Sequence, residues 1–193
     1  AILATRTHEC LLLAIYFNWF TALEAQLLMN PTLFLASTSP RRRELLQQIG
    51  VSFNVLRVDV DESTRPMESP KCYVQRLSLA KAQAGLAQCQ PNELVLAADT
   101  TVVVDSTIIG KPETLEQAIA IWQSLSGRCH QVLTGVTLAN NQHQQTIVVT
   151  TDVYFRQLSM AEMIAYWQTG EPHDKAGGYG IQGKGALFVA KID

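Results

Sequence analysis

An α/β fold with a mixed sheet is the class that this sequence predicts, and three observations predict it. Short apolar runs of strand length alternate with segments whose apolar residues recur every three or four positions. Two long β-branched runs flank a polar turn, which indicates one antiparallel section within the alternation. The 193 residues, of which 47% are apolar and 17% charged, suffice for one sizeable core in an ordinary globular protein.

The first predicted elements are a strand, a helix and a second strand. Leu33 to Ala36 is a short apolar run, typical of a buried strand. The Ser-Thr-Ser-Pro turn at residues 37–40 supplies side chains that cap helices and a proline suited to the first helical position. Arg41 to Ile49 has leucines at helical spacing before Gly50 ends the helix, and Val51 to Val58 alternates as a strand.

The middle of the chain adds a loop, a helix and another strand. Residues 59–70 (DVDESTRPMESP) are polar and rich in turn formers, so we expect an exposed loop. Cys72 to Gln88 has small and apolar residues at helical spacing. Leu94 to Ala98 is an apolar strand that ends on Asp99, and the stretch from Thr101 to Val104 continues extended.

The second half of the chain repeats the alternation. A hairpin turn is predicted at residues 105–106, before a short strand from Thr107 to Ile109, and Gly110-Lys111-Pro112 reads as a break. The remaining predicted elements are the helix Thr114–Leu125, the strands Gln131–Ala139 and Thr146–Phe155 around the turn Asn140–Gln144, the helix Ser159–Thr169 with the capping pair Ser159 and Glu162, the glycine-rich loop Glu171–Lys184 and the strand Ala186–Ile192.

Charge and cysteine content exclude several classes of protein. The net charge is −2, so duplex nucleic acid is not attracted by the overall field, and any basic function must be local. The four cysteines are scattered without a C-x-x-C pair, which predicts reduced thiols and a cytoplasmic protein rather than a disulfide scaffold. The four histidines form no zinc-ligand pattern, and no apolar run is long enough to span a bilayer as a helix.

Residues 1–28 differ in character from the rest of the chain. The apolar stretch 10–28 is interrupted by polar residues, and the charged start that a signal peptide needs is thin. We expect an appended or upstream segment outside the domain proper, with an amphipathic helix packed on the body as the alternative. The domain is then residues 29–193, and its abrupt end on a strand, without a closing helix, predicts truncation at the C-terminus.

The Ser-Thr-Ser-Pro-Arg-Arg turn is a candidate phosphate site. A strand that turns into a helix leaves backbone N–H groups free, and the helix dipole adds positive potential at the same point. Arg41 and Arg42 would add permanently charged, forked donors on the first helical turn. The alternatives are a solvated turn and a patch that binds single-stranded nucleic acid through residues 41–43.

Acidic and basic side chains elsewhere could complete such a site. Asp99 follows an apolar strand and could bind a divalent cation or orient a water, or it could simply cap a turn. Glu62 belongs to an acidic loop that could help to hold the ion, although solvated carboxylates are the simpler reading. Lys81 on a helix and Lys111 in a tight Gly-Lys-Pro break could reach phosphates. Gln182, in the glycine-rich stretch, could read a base edge because an amide both donates and accepts.

Taken together, these segments resemble the Maf family of nucleotide pyrophosphatases. The matching pieces occur in the family's order between residues 32 and 193, and they are LASTSPRRRELL, DESTRP, RLSLAKA, AADTTVV, GKP, LSGRCHQVLTGV and DKAGGYGIQG. The resemblance implies an elongated mixed sheet with flanking helices and a central cleft, similar to the inosine-triphosphatase-like enzymes. It also implies hydrolysis of nucleoside triphosphates to monophosphate and pyrophosphate with Mg²⁺ or Mn²⁺, in a nucleotide-pool house-cleaning role.

Three positions separate the subgroups of this family. The dTTP/UTP subgroup has Arg, Thr and Gln where this sequence has Arg41, Thr100 and Gln182, whereas the 7-methyl-GTP subgroup typically has Trp, Gln and Glu. The resemblance therefore implies dTTP and UTP as substrates, with these three residues setting the preference.

The remaining roles are carried over from the family residue by residue. Asp99 is implied as the proton acceptor and, with Glu62, as a metal ligand, while Arg43 matches no role and is expected to be solvated. The implied substrate-binding residues are Ser37, Arg41, Arg42, Lys81 and Lys111. A possible homodimer is implied as well, with no nucleic-acid or membrane partner. A binder in this fold that no longer turns nucleotide over remains an alternative.

Overall fold

A computed structural model describes residues 31–193 of the protein. This part of the chain forms seven strands and four α-helices. The strands are β1 (Leu33–Ala36), β2 (Asn54–Leu56), β3 (Leu94–Val104), β4 (Thr107–Ile109), β5 (Cys129–Ala139), β6 (Gln144–Phe155) and β7 (Val189–Ile192). The α-helices are α1 (Pro40–Gln48), α2 (Pro70–Leu86), α3 (Leu115–Leu125) and α4 (Met160–Trp167). The prediction for residues 1–28 lies outside the described residues.

The strands form one mixed sheet in the order β2-β1-β3-β5-β6-β7, and β4 pairs with β3 beside this path. β1 runs parallel to both β2 and β3, whereas β4 is antiparallel to β3 and β7 is antiparallel to β6. Helices alternate with these strands along the chain. The predicted α/β class with a mixed sheet is therefore confirmed.

The structure corrects the prediction that a strand ends on Asp99. β3 runs without a break from Leu94 to Val104, so Asp99 lies in its middle. β1 pairs with residues 94–96 at one end of β3, and β4 pairs with residues 102–104 at the other. The β-branched run after Asp99 favours extended backbone and carries the strand through to the β4 pairing. The predicted hairpin turn at Asp105 and Ser106 is confirmed, and both residues have positive φ.

Two predicted strands are shorter than expected. β2 covers only Asn54–Leu56 instead of residues 51–58, and these three residues are the ones that pair with β1. β7 begins at Val189 because the residues before it, Lys184–Phe188, wind into 3-10 turns. Two further 3-10 turns, Glu171–Asp174 and Ala176–Gly178, give the predicted glycine-rich loop a defined conformation.

Side-chain caps fix where three of the helices begin. The Ser69, Thr114 and Ser159 side chains accept backbone hydrogen bonds at the starts of α2, α3 and α4, and the predicted capping box with Glu162 is confirmed. α1 differs, because Pro40 takes the first helical position as predicted but the Ser39 side chain accepts no capping hydrogen bond from a described residue. The serine that organises this turn is instead Ser37.

Contacts divide the described chain into two compact units. The first comprises residues 31–99 and 135–149, and the second comprises residues 100–134 and 150–193. The first unit buries leucine and valine side chains of β1, β3 and β5 under α1. The second is built around Trp122, which is fully buried and contacts the rings of Tyr166 and Phe188. No helix within residues 31–193 is long and apolar enough to cross a membrane.

Candidate active site

Close packing of α2 on the sheet positions Lys81 in the first unit. A Cβ atom on Gly135 of β5 would lie 2.4 Å from the Val74 carbonyl oxygen, so a glycine is needed where helix and strand approach. Next to this contact, the Thr137 hydroxyl donates to Ser78 Oγ at 3.0 Å. α2 is thereby held against β5, and Lys81 follows one turn further along the same helix.

Lys81 bridges two carboxylates. Its Nζ lies 2.7 Å from Asp99 Oδ1 on β3 and 2.7 Å from Glu62 Oε1 in the loop before α2. The Lys81 and Asp99 side chains are only 13% and 10% exposed, whereas Glu62 is half exposed at 49%. Lys81 and Asp99 are thus largely desolvated, while the half-exposed Glu62 leaves the cluster open to solvent, so a ligand could meet both a cation and a carboxylate there. The structure thus brings together three of the residues expected from sequence.

Ser37 and Arg42 form the second part of this site. The Ser37 hydroxyl oxygen is buried after β1, where it accepts from the Ser39 N–H at 3.2 Å and from Arg42 Nη1 at 3.1 Å. Burial lowers the pKa of Arg42, while the carboxylates of Asp99 and Glu62 act in the opposite direction. The Arg42 guanidinium therefore lies within electrostatic reach of the Lys81 cluster, and the first unit brings two cations and two carboxylates together.

The other two arginines have separate surroundings. Arg41 Nη1 forms an ion pair of 3.0 Å with Glu44 on the exposed side of α1. Arg43 is half-buried, and its Nη2 donates to the Thr38 carbonyl at 3.3 Å. The expectation that Arg43 is simply solvated is wrong, because its guanidinium supports the turn before α1. The three consecutive arginines thus do not form one uniform basic surface.

Two residues of α2 that sequence reasoning did not single out hold the loop that carries Glu62. The Tyr73 hydroxyl donates to the Glu62 carbonyl at 2.8 Å, and Arg76 Nη2 donates to the Ser63 carbonyl at 2.9 Å. Arg76 also forks onto Glu68 at 2.6 and 2.8 Å, and this contact lowers the pKa of Glu68 to about 2. The available signal was the i, i+3 spacing of a tyrosine and an arginine beside a polar loop.

Three predicted site residues belong to the second unit. Thr100 Oγ1 lies 3.1 Å from Thr134 Oγ1, and either hydroxyl can donate. Lys111 is exposed between Gly110, whose carbonyl accepts from the Gly177 N–H at 3.0 Å, and the buried Pro112. Gln182 is exposed in the glycine-rich loop.

The Gly-Lys-Pro break and the segment that begins at Asp174 are neighbours in this unit. The Lys175 ammonium lowers the pKa of Asp174 through a hydrogen bond of 2.7 Å, and Lys111 adds to this effect. Lys111 is therefore within electrostatic reach of Asp174. The break and the glycine-rich loop, which are far apart in sequence, thus meet in the folded unit.

The donor set for a divalent cation is small. Within residues 31–193, no three His, Cys, Asp or Glu side chains are grouped closely enough to hold a metal ion. Asp99 and Glu62, which meet on Lys81, offer carboxylate oxygens, the ligands that Mg²⁺ and Mn²⁺ prefer. Because Mg²⁺ is commonly bound by one or two carboxylates together with water and substrate phosphates, two carboxylates fit an ion that arrives with a nucleotide.

Comparisons with known proteins agree on one family. The family model for "Maf-like protein" matches residues 32–193. The dTTP/UTP pyrophosphatase of Vibrio parahaemolyticus is 49% identical over 162 residues, which cover 84% of this chain and 86% of that protein. The dTTP/UTP pyrophosphatase of Saccharophagus degradans is 53% identical over 163 residues, or 83% of this chain and 78% of that protein.

A solved structure was also matched. The Staphylococcus aureus Ham1 protein aligns with a TM-score of 0.48 and 14% identity, over 64% of this chain and 71% of that one. The family model and the curated relatives carry the assignment, since both span most of the chain at high similarity. The chain belongs to the Maf family.

Proposed function

We propose that this protein hydrolyses dTTP and UTP to the nucleoside monophosphate and pyrophosphate, in a nucleotide-pool house-cleaning role. The observation that carries the proposal is the cluster of Lys81, Asp99 and Glu62 beside Arg42. Cations neutralise the charged oxygens of a triphosphate, and a carboxylate can orient and deprotonate the water that hydrolyses it. The cluster offers both. The matched relatives of Vibrio and Saccharophagus are named for this activity, which supports the substrate class.

The proposed reaction is a displacement at the α-phosphorus. A water oxygen attacks this atom, the bond to the oxygen that bridges to the β-phosphorus breaks, and pyrophosphate leaves with the bonding electrons. Lys81 engages Oδ1 of Asp99, so we assign the transfer of the water proton to Oδ2. Arg42 and Lys81 neutralise charge that shifts onto the phosphate oxygens, and Ser37 orients Arg42 through its hydroxyl.

Asp99 and Glu62 are the residues that would hold a divalent cation, Mg²⁺ or Mn²⁺. The ion, when bound, supplies charge neutralisation to the phosphate oxygens. We also assign Arg41 and Lys111 to substrate binding, since Arg41 presents a half-exposed cation on the first turn of α1 and Lys111 presents an exposed cation in the Gly-Lys-Pro break. Thr100, Gln182 and Arg41 are the proposed determinants of pyrimidine preference.

The test is product analysis across a panel of nucleotides with Mg²⁺. Pyrophosphate and monophosphate should form fastest from dTTP and UTP, and Asp99→Asn should lower kcat by about 100-fold or more, the scale of lost general-base catalysis. Asp105→Asn is the matched control, because it neutralises an exposed carboxylate of the second unit. Release of orthophosphate with nucleoside diphosphate, or full activity of Asp99→Asn, would refute the assignment.

The alternative of a non-catalytic nucleotide or single-stranded nucleic-acid binder makes different predictions. Binding through residues 41–43 should weaken steeply with salt and need no metal. The separate partners of these arginines and the net charge of −2 argue for the enzyme. The homodimer stays a prediction of the family resemblance, and the cytoplasmic location stays a prediction from the scattered cysteines.

A further inference from the structure

A carboxylate lies beneath the glycine-rich turn that carries Gln182. Glu171 begins the 3-10 turn after α4, and its Oε2 accepts from the Lys184 N–H at 2.8 Å, while Oε1 accepts from the Gly185 N–H at 3.1 Å. Burial alone would raise the pKa of Glu171, but these N–H groups and the Tyr166 hydroxyl outweigh it and lower the pKa. Glu171 thus ties down the C-terminal side of the turn.

Tyr166 ties down the other side of the same turn. Its hydroxyl donates to Glu171 Oε1 at 2.8 Å and accepts from the Gly180 N–H at 3.2 Å. The ring is buried on α4, with centroids 5.3 Å from Trp122 and 4.8 Å from Phe188, so the hydroxyl is held in place by the core of the second unit. Burial raises the pKa of Tyr166 far above its ordinary value, which keeps the hydroxyl proton available to Glu171.

The glycines of the turn fit around this carboxylate. A Cβ atom on Gly183 would lie 2.5 Å from the carboxylate of Glu171, so the backbone passes where no side chain fits. Residues 181–183 span the gap between the two anchored sides, and Gln182 is exposed at its middle. An exposed amide on a fixed backbone can discriminate between bases, because its donor and acceptor then occupy set positions.

We propose that Glu171 and Tyr166 are positioning residues for base selection. Together they fix the backbone from Gly180 to Gly185, and this sets where the Gln182 amide meets the pyrimidine. They act through Gln182 and are not assigned a contact with the nucleotide. The inference rests on the proposed function, in which Gln182 favours a pyrimidine.

Two variants remove the anchors, and a third controls for stability. Glu171→Gln replaces one acceptor oxygen by an NH₂ group, which leaves a backbone N–H without its acceptor, and Tyr166→Phe removes the hydroxyl. Ser159→Ala, which removes the cap of α4, destabilises the same unit without touching the turn. kcat and KM are measured for dTTP and dATP with each protein.

The expected result is a change in selectivity. Each anchor variant should raise KM for dTTP by about tenfold, the scale of one lost charge-assisted hydrogen bond, with kcat within about twofold. The preference for dTTP over dATP should fall by a similar factor, while Ser159→Ala keeps the wild-type preference. Gln182→Ala should lose the same preference, and Glu171→Gln added to it should lower the preference no further.

Outcomes that overturn the proposal are equally defined. Wild-type preference in both anchor variants would show that Glu171 and Tyr166 only stabilise the unit, and multiplicative effects of Glu171→Gln and Gln182→Ala would show that they act separately. If Glu171→Gln does not fold, Tyr166→Phe decides.

A readout without turnover separates this proposal from the proposed function. Amide hydrogen exchange at Lys184 and Gly185 should accelerate in Glu171→Gln, and unchanged exchange would contradict the anchoring. If the wild type releases no pyrophosphate from any nucleotide, the proposed function fails. The ratio of dissociation constants for non-hydrolysable dTTP and dATP analogues, measured for the same variants, then replaces the kinetic preference.

Discussion

Replacement of Lys81 by methionine tests the ion-pair cluster most directly. The Lys81 ammonium lies 2.7 Å from Asp99 Oδ1, and the two side chains are 13% and 10% exposed. Methionine keeps the apolar stem but leaves Asp99 as a largely buried carboxylate without its principal cation. Breaking a buried pair in this way typically costs about 3 to 5 kcal/mol. Because Arg42 still interacts electrostatically with Asp99, we expect a value at the lower end, and the free energy of unfolding should fall by ~3 kcal/mol.

Urea unfolding followed by circular dichroism measures this loss. An exposed pair provides the comparison, because Arg128 and Asp105 are 46% and 72% exposed. Asp105→Asn should therefore lower the free energy of unfolding by about 0.5 kcal/mol or less. Equal losses in Lys81→Met and Asp105→Asn would refute the reasoning, because the cluster would then behave as a surface ion pair.

A double-mutant cycle separates the pair from its neighbours. Asp99→Asn removes the charge that Lys81→Met leaves uncompensated, so the double variant should recover about 2 kcal/mol relative to the sum of the single losses. It should remain inactive in pyrophosphate release, since the proposed proton acceptor is absent. A strictly additive cycle would show that Lys81 and Asp99 do not interact in solution.

Three further predictions concern stability. Burial lowers the pKa of His130 from 6.5 to about 4, so the unfolded chain binds a proton more readily than the folded chain. The contribution of neutral His130 to the free energy of unfolding should therefore be fully present above pH 6.5, and the free energy of unfolding should fall by up to about 3 kcal/mol as the pH drops towards 4. Thermal midpoints across this range should show a shallower slope in His130→Gln, and an unchanged slope would contradict the assignment. Gly135→Ala should cost roughly 1–3 kcal/mol in chemical denaturation and also lower turnover, because the added methyl pushes α2 and Lys81 away from β5, and wild-type values would disprove this close approach. Ser159→Ala should lower the free energy of unfolding by ~1 kcal/mol, and no loss would mean that the capping box contributes nothing.

The sequence predicted most of the fold because local signals and tertiary pairing agree in it. The alternation of strands and helices, the hairpin at Asp105 and the capping box at Ser159 all depend on residues close in sequence. The predicted end of a strand at Asp99 was wrong, because the sequence pattern treats a charged residue as a boundary. In the fold, β1 pairs with β3 before Asp99 and β4 pairs with β3 after it, so the strand continues through this residue. The extents of β2 and β7 depend on their pairing partners, which no local pattern contains.

The candidate site shows the same division. Lys81 and Asp99 were identifiable by residue type and motif, but their contact follows from the packing of α2 against Gly135, which only the fold reveals. The anchors Glu171 and Tyr166 were missed for a related reason. From sequence, a tyrosine on an apolar helix face is predicted to be a core residue, and a glutamate that begins a loop is predicted to be solvated. In the structure the two side chains together bind three backbone N–H groups.

The turn above Glu171 is held by its backbone, and the side chain at position 182 takes no part in the three anchoring hydrogen bonds. Its anchors are backbone N–H groups of Gly180, Lys184 and Gly185. Substitution at position 182 would therefore leave these three anchors in place. Such an arrangement lets base preference change by a single substitution while the scaffold is inherited unchanged, and it makes this position the natural one to randomise in a search for altered nucleotide selectivity.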